Sequence, residues 1–175
     1  MKTFFRDTLI TILLTGLIFF LLQATVQVSI VNGSSMEPYL HDGQRLVVNK
    51  ALYRLDHPER GDIIIFHPPH NAGATPFIKR VIGLPGDTVE IKKGTVYING
   101  DPLDEPYIKE LPAYTLSKEE ISGNSYFVLG DNRNNTSDSH VWGTVPRTNI
   151  IGKAWLSIWP PERWGLAPNY TYNEH

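Results

Sequence analysis

The segment "FIKRVIGLPGDTVEIKKGTVYINGDPL" (Phe77–Leu103) decides the fold class. It breaks into strand-length runs punctuated by turn residues. "FIKRVI" is followed by Gly83-Leu84-Pro85-Gly86, "DTVEI" by Lys93-Gly94, and "TVYI" by Asn99-Gly100. Alternating β-branched residues mark half-buried strands, and Asn-Gly suits a two-residue type I′ hairpin. The rhythm continues outward. Upstream lie "QRLVVNK" (Gln44–Lys50) and "GDIIIFH" (Gly61–His67), and downstream "SYFVLGDN" (Ser125–Asn132) and "IIGKAWLSIWPP" (Ile150–Pro161). "PPHNAGATP" (Pro68–Pro76) is a loop by composition. In the polar, proline-broken stretch Leu103–Ser125, only "LSKEEI" (Leu116–Ile121) suggests a short helix. Many short strands without a βαβ rhythm predict a mostly β fold, antiparallel and coiled or barrel-like.

Composition agrees. The chain has 175 residues, 14 Gly, 13 Pro and only 19% charged residues, which suits a turn-rich β domain better than a helical bundle. A formal charge of -2 gives no electrostatic reason to expect nucleic acid as a partner. The absence of cysteine rules out disulfides, thiol catalysis and cysteine-ligated zinc.

Ahead of the strands runs "LITILLTGLIFFLLQATVQVSIV" (Leu9–Val31), with no charged residue. About 20 such residues cross a bilayer as a helix, and Lys2 and Arg6 before it place the N-terminus in the cytoplasm. A cleaved signal peptide is the competing reading. The poor Ala24-Thr25-Val26 site and the continued apolar character to Val31 favour an anchor. The expected organisation is residues 1–7 cytoplasmic, 8–28 a transmembrane anchor, and 29–175 an extracytoplasmic β domain. The tail "WPPERWGLAPNYTYNEH" suits either packing on the body or a lipid interface.

Three segments carry candidate chemistry. "NGSSMEPYL" (Asn32–Leu40) holds the adjacent serines Ser34 and Ser35, but it is not a Gly-x-Ser-x-Gly elbow, because Glu37 replaces the second glycine. Alone it reads as a serine-rich turn. None of the six histidines sits in a recognisable motif, and "HPPH" (His67–His70) lacks a third metal ligand.

In "FIKRVI", Phe77, Lys79 and Val81 face one way and Ile78, Arg80 and Ile82 the other, so at least one cation is held among apolar neighbours. Either a side chain snorkels at a strand edge, or Lys79 loses its charge and becomes a base. Arg80 cannot serve as one. Keeping half of a lysine neutral at pH 7, from a reference pKa of ~10.4, costs roughly 4–5 kcal/mol, and burial among aliphatics supplies that much.

The third segment, "GDNRNNTSDSHVWGTVP" (Gly130–Pro146), is either a polar loop with Asx-turns or an orienting loop. In the second case Thr136 accepts from an amine and Asp138 pairs with Arg133 or His140.

Together these segments resemble the type I signal peptidases, membrane-anchored Ser-Lys endoproteases. "GSSMEPYL" is similar to the family's serine motif, with Tyr39 in place of threonine. "RGDIIIF" and "FIKRVIGLPGD" resemble its central strand and lysine motif, and "GDNRNNTSDSH" its C-terminal box. "DSHVWG" and "WPPERWG" look like the cyanobacterial and thylakoid branch. The resemblance implies Ser35 as nucleophile, Lys79 as general base, and a Thr136 hydroxyl that helps hold the lysine. The oxyanion site would use the Ser35 N–H. Gly33 stands where some members place a serine side chain, so the second donor is open. Arg80, Asp131, Arg133, Asp138 and His140 would give structural support, His140 replacing the commoner arginine.

Val31, Met36, Leu40, Leu46, Ile65, Phe77 and Ile78 would line pockets for small residues before the cut, with the substrate added as a β-strand. Ser35 follows the apolar run by about ten residues, within roughly 35 Å of the membrane. The expected activity is removal of signal peptides from preproteins at small-x-small sites, by a monomer in the cell or thylakoid membrane without metal or cofactor. Self-cleaving LexA-like repressors share the dyad, but a helix-turn-helix and basic surface are expected there. The non-enzymatic rival is a tethered module that only binds extended peptides.

Overall fold

The computed structural model describes residues 2–70 and 73–172; Met1, Asn71 and Ala72 of the Pro68–Pro76 loop, and the last three residues lie outside them. Helix α1 (Lys2–Thr25) comes first, and its stretch Phe4–Thr25 is long and apolar enough to cross a membrane. Its 22 residues span about 33 Å. The apolar run then changes character. Val26, Val28 and Ile30 alternate with polar residues, and this β-branched pattern forms a strand where the sequence suggests that the anchor continues to residue 28.

Twelve strands follow: β1 (Val26–Ile30), β2 (Arg45–Asn49), β3 (Ile63–Phe66), β4 (Phe77–Gly83), β5 (Thr88–Lys92) and β6 (Thr95–Ile98), then β7 (Asp101–Pro102), β8 (Leu116–Glu120), β9 (Ser125–Leu129), β10 (Val145–Pro146), β11 (Ile150–Trp159) and β12 (Gly165–Leu166). All pairings are antiparallel. One sheet has the order β1-β2-β11-β3-β4-β9-β10, with β12 on β11; the other is β7-β6-β5-β8. The mostly antiparallel β class read from the sequence is the one observed.

Both predicted turns, of which the sequence marks only Asn99-Gly100 as a type I′ hairpin, carry positive φ at each central residue, Lys93 (51°) and Gly94 (76°), then Asn99 (55°) and Gly100 (95°). That is the backbone a type I′ turn requires. "LSKEEI" corrects its reading as a helix. Leu116–Glu120 pairs with β5 as the outer strand of the smaller sheet, where tertiary pairing overrides propensity. Its exposed Lys118, Glu119 and Glu120 blunt that edge.

Strand β4 organises the core. Its alternation sends Phe77 and Val81 to one apolar cluster, Ile78 to a second and Ile82 to a third. The two cations between them have nowhere to snorkel: Lys79 is 5% exposed and Arg80 0%. Arg80 pairs in register with Leu129 at the end of β9. The chain therefore enters the loop beginning at Gly130 directly beside the two cations.

The tail packs on the body from Ala167 to Tyr172. The Asn169 side chain accepts from the Ile63 N–H at 2.7 Å and donates to the Ala154 carbonyl at 2.9 Å. The Tyr170 N–H donates to the Gly61 carbonyl at 3.1 Å. Gly61 has φ +93°, and a Cβ there would overlap the Tyr170 carbonyl. Trp159, Trp164 and Leu166, just before this strap, stay exposed.

Candidate active site

The turn carrying the serines is held from two sides. The Gly33 N–H donates to Asp42 Oδ1 at 2.6 Å. From the 130s loop, Asn132 donates its backbone N–H to the Ser35 carbonyl and its side chain to the Ser34 carbonyl, both at 3.0 Å. Asn135 Nδ2 donates to Ser34 Oγ at 2.9 Å. The two serines are thereby made inequivalent. The Ser34 hydroxyl is engaged by an amide, while Ser35 Oγ lies 2.8 Å from Lys79 Nζ.

Burial pulls the Lys79 amine down to about 8, against the opposing pull of Asp138 and Asp131. About one molecule in ten then carries the neutral amine at pH 7. Lys79 also lies 5.6 Å from the Phe77 ring centroid. Among the described residues, the Ser35 N–H has no hydrogen-bond acceptor. Gly33 has φ +79°, a backbone that strains any side chain, so this turn itself disfavours a serine there.

Gly130 makes the close approach of the loop possible. A Cβ at this residue would stand 2.5 Å from both the Ser35 carbonyl and Thr136 Oγ1. The Thr136 hydroxyl is thus beside the serine turn, but among the described residues it has no hydrogen-bond partner, and the expected bond from Lys79 is not formed. The loop's charges are all compensated. Arg80 donates to Asp131 through Nε at 2.8 Å and Nη2 at 2.7 Å. It also donates to the Gly61 and Pro168 carbonyls and stacks on Tyr107, with 3.9 Å from Cζ to the centroid. Asp138 takes His140 Nδ1 at 2.6 Å on one oxygen and the Gly130 N–H at 2.9 Å on the other. His140 stacks on Tyr114 at 3.8 Å. Arg133, the alternative partner of Asp138, instead forks onto Glu105.

A cleft of about 330 Å³ opens at the Ser35–Lys79 pair. Of the residues expected to line pockets, Val31, Met36, Phe77 and Ile78 do so, whereas Leu40, Leu46 and Ile65 lie in the core cluster beside them. Sequence reasoning missed Asn32, Thr75, Pro76 and Ser137 in the lining, Asn132 and Asn135 as ties, and Glu105 as the Arg133 partner. The run of asparagines in "GDNRNN" was the only signal available for the ties. Among the described residues, no three His, Asp or Glu side chains converge on a metal position.

The model of the family "Signal peptidase, peptidase S26" matches residues 4–159. The chain belongs to that family. It is 48% identical over 149 residues to "Probable signal peptidase I-1" of Synechocystis, covering 81% of this chain and 76% of the relative. To signal peptidase I of Leptolyngbya laminosa it is 49% identical over 149 residues, covering 81% and 73%. The crystal structure of a signal peptidase I from Enterococcus faecalis superposes with a TM-score of 0.50 at 34% identity, covering 56% of this chain and 97% of that one. Membership makes the chain a serine endopeptidase of the signal peptidase I class.

Proposed function

We propose that the chain is a single-pass membrane enzyme that cleaves preproteins after small-x-small sequences through Ser35 and Lys79. The observation that carries this reading is the 2.8 Å contact between Lys79 Nζ and Ser35 Oγ beside a cleft walled in part by Val31, Met36, Phe77 and Ile78. In the neutral form the amine accepts the hydroxyl proton as Ser35 Oγ attacks the scissile carbonyl carbon. The Ser35 N–H faces the oxyanion that forms. Lys79, now an ammonium, gives its proton to the departing amine, leaving the signal peptide as an ester on Ser35. A water, deprotonated by the same lysine, hydrolyses that ester. Amine and hydroxyl supply all the chemistry, so no cofactor or metal is invoked.

The substrate lies extended between the residues following β1, itself the end strand of the larger sheet, and the Thr75–Phe77 segment. Val31, Met36, Phe77 and Ile78 leave room for small side chains at the first and third positions before the cut. Thr136 accepts a hydrogen bond from Lys79 once the amine releases Ser35, which satisfies its buried hydroxyl. The first residues stay in the cytoplasm, α1 forms the anchor, and the β domain works as a monomer on the far side of the cell or thylakoid membrane.

The test is cleavage of a preprotein by the full-length protein in lipid vesicles, with the new N-terminus sequenced. Cut after Ala-x-Ala is expected from wild type and Ser34→Ala, and none from Ser35→Ala. Undiminished cleavage by Ser35→Ala would overturn the assignment.

A further inference from the structure

Ser35 stands at the junction of two clefts that differ in lining. The first also holds Lys79 and has a mixed lining, Val31, Met36, Phe77 and Ile78 on one side and Asn32, Thr75 and Ser137 on the other. The second, of about 540 Å³, is walled by Asn32, Ser34, Asn134, Asn135, Thr136 and Ser137, with no aliphatic or aromatic side chain and no formal charge. Asn32, Ser35 and Ser137 belong to both. A chain threaded past Ser35 therefore leaves a partly apolar cleft and meets an open, wholly polar surface at the reacting atom.

We infer that the polar cleft receives the first residues after the cut, the new N-terminus of the mature protein, and selects polar or small side chains there. This rests on the function proposed above. The wall is built and held. Asn134 spends its amide on the Leu111 carbonyl at 3.0 Å and the Ala113 N–H at 2.8 Å, which fixes one side. Asn135 engages Ser34 Oγ and leaves the Ser34 hydroxyl proton free to donate. No hydrogen bond within the described protein engages the Asn32 or Ser137 side chains, both of which are exposed. The Ser34 hydroxyl and the Asn32 and Ser137 side chains can exchange bonds with water for bonds with a polar guest. A bulky apolar guest would strip their water and return nothing. With no charge in the wall, selection falls on hydrogen bonding and size.

The test uses internally quenched peptides that share one Ala-x-Ala sequence before the cut and differ in the two residues after it, Ser-Gln against Leu-Phe. Wild type is expected to favour Ser-Gln in kcat/KM by about three- to tenfold, the scale of one to two net hydrogen bonds. The double variant Ser34→Ala/Asn135→Leu, which makes the wall apolar, should reduce that ratio to about one or reverse it. Selectivity for residues before the cut should not change. A variant that lowers every peptide by one common factor, leaving the ratio as in wild type, would overturn the inference while leaving the proposed function standing. Absence of any Ser35-dependent cleavage would remove both.

Discussion

Asp131 accepts from Nε and Nη2 of the Arg80 guanidinium, at 2.8 and 2.7 Å, with both side chains sealed from solvent. This pair ties strand β4, which carries Lys79, to the loop that holds the serine turn. It does so from the position next to the lysine in sequence and on the opposite face of the strand.

Removing one partner leaves the other charged and buried. Arg80→Met should therefore destabilise the domain by about 3–5 kcal/mol in chemical denaturation. Arg80→Lys should recover only part of that, because an ammonium cannot reproduce the fork and the Tyr107 stack. A lysine variant as stable as wild type would argue against the geometry described.

Gly130 is needed for space. In Gly130→Ala the new methyl meets the Ser35 carbonyl and Thr136, so the serine turn must move away from its loop. A fall in kcat/KM of about 10²-fold is expected, the scale of an ångström-level misplacement. Steady-state peptide cleavage measures it.

The acid limb of kcat/KM should follow Lys79, rising through about pH 8, because only the neutral amine accepts the Ser35 proton. Asp138 holds that amine up, so Asp138→Asn should move the limb to lower pH. His140→Arg, a permanent cation against Asp138, should move it the same way. A pH–rate series on the three proteins reads both shifts.

Lys79 carries a stability cost as well. Its folded pKa lies below the unfolded value, so below about pH 8 the fold must bury a charge that the unfolded chain keeps in water. Lys79→Met should abolish cleavage yet raise stability at pH 7 by about 2–3 kcal/mol. The gain should shrink as pH rises from about 8 towards 10.5, where both states hold a neutral amine. Denaturation at pH 7 and pH 10 separates this from a simple packing effect.

The parts legible in the sequence are those set by local rules. Asn99-Gly100 called for the positive φ of a type I′ turn and has it, and Lys93-Gly94 turns the chain as predicted. The alternation of "FIKRVI" implied a buried cation, and both cations are buried. The parts that were not legible depend on distant partners. "LSKEEI" is a strand because β5 offers it an edge. Arg133 finds Glu105, 28 residues away, and the turn at Ser34 is tied by Asn132 and Asn135 about a hundred residues on. Leu40, Leu46 and Ile65 have the same apolar chemistry as Val31 and Ile78, and only packing separates core from cleft wall.

In the proposed mechanism Lys79 activates Ser35 and no other hydroxyl. The most direct test is acylation of the full-length protein at pH 8 by a serine-directed β-lactam-like inhibitor, with the adduct located by peptide mass spectrometry. The account predicts one adduct, on Ser35, absent from Ser35→Ala and lost in Lys79→Met. An adduct on Ser34, or one formed as fast in Lys79→Met as in wild type, would contradict it.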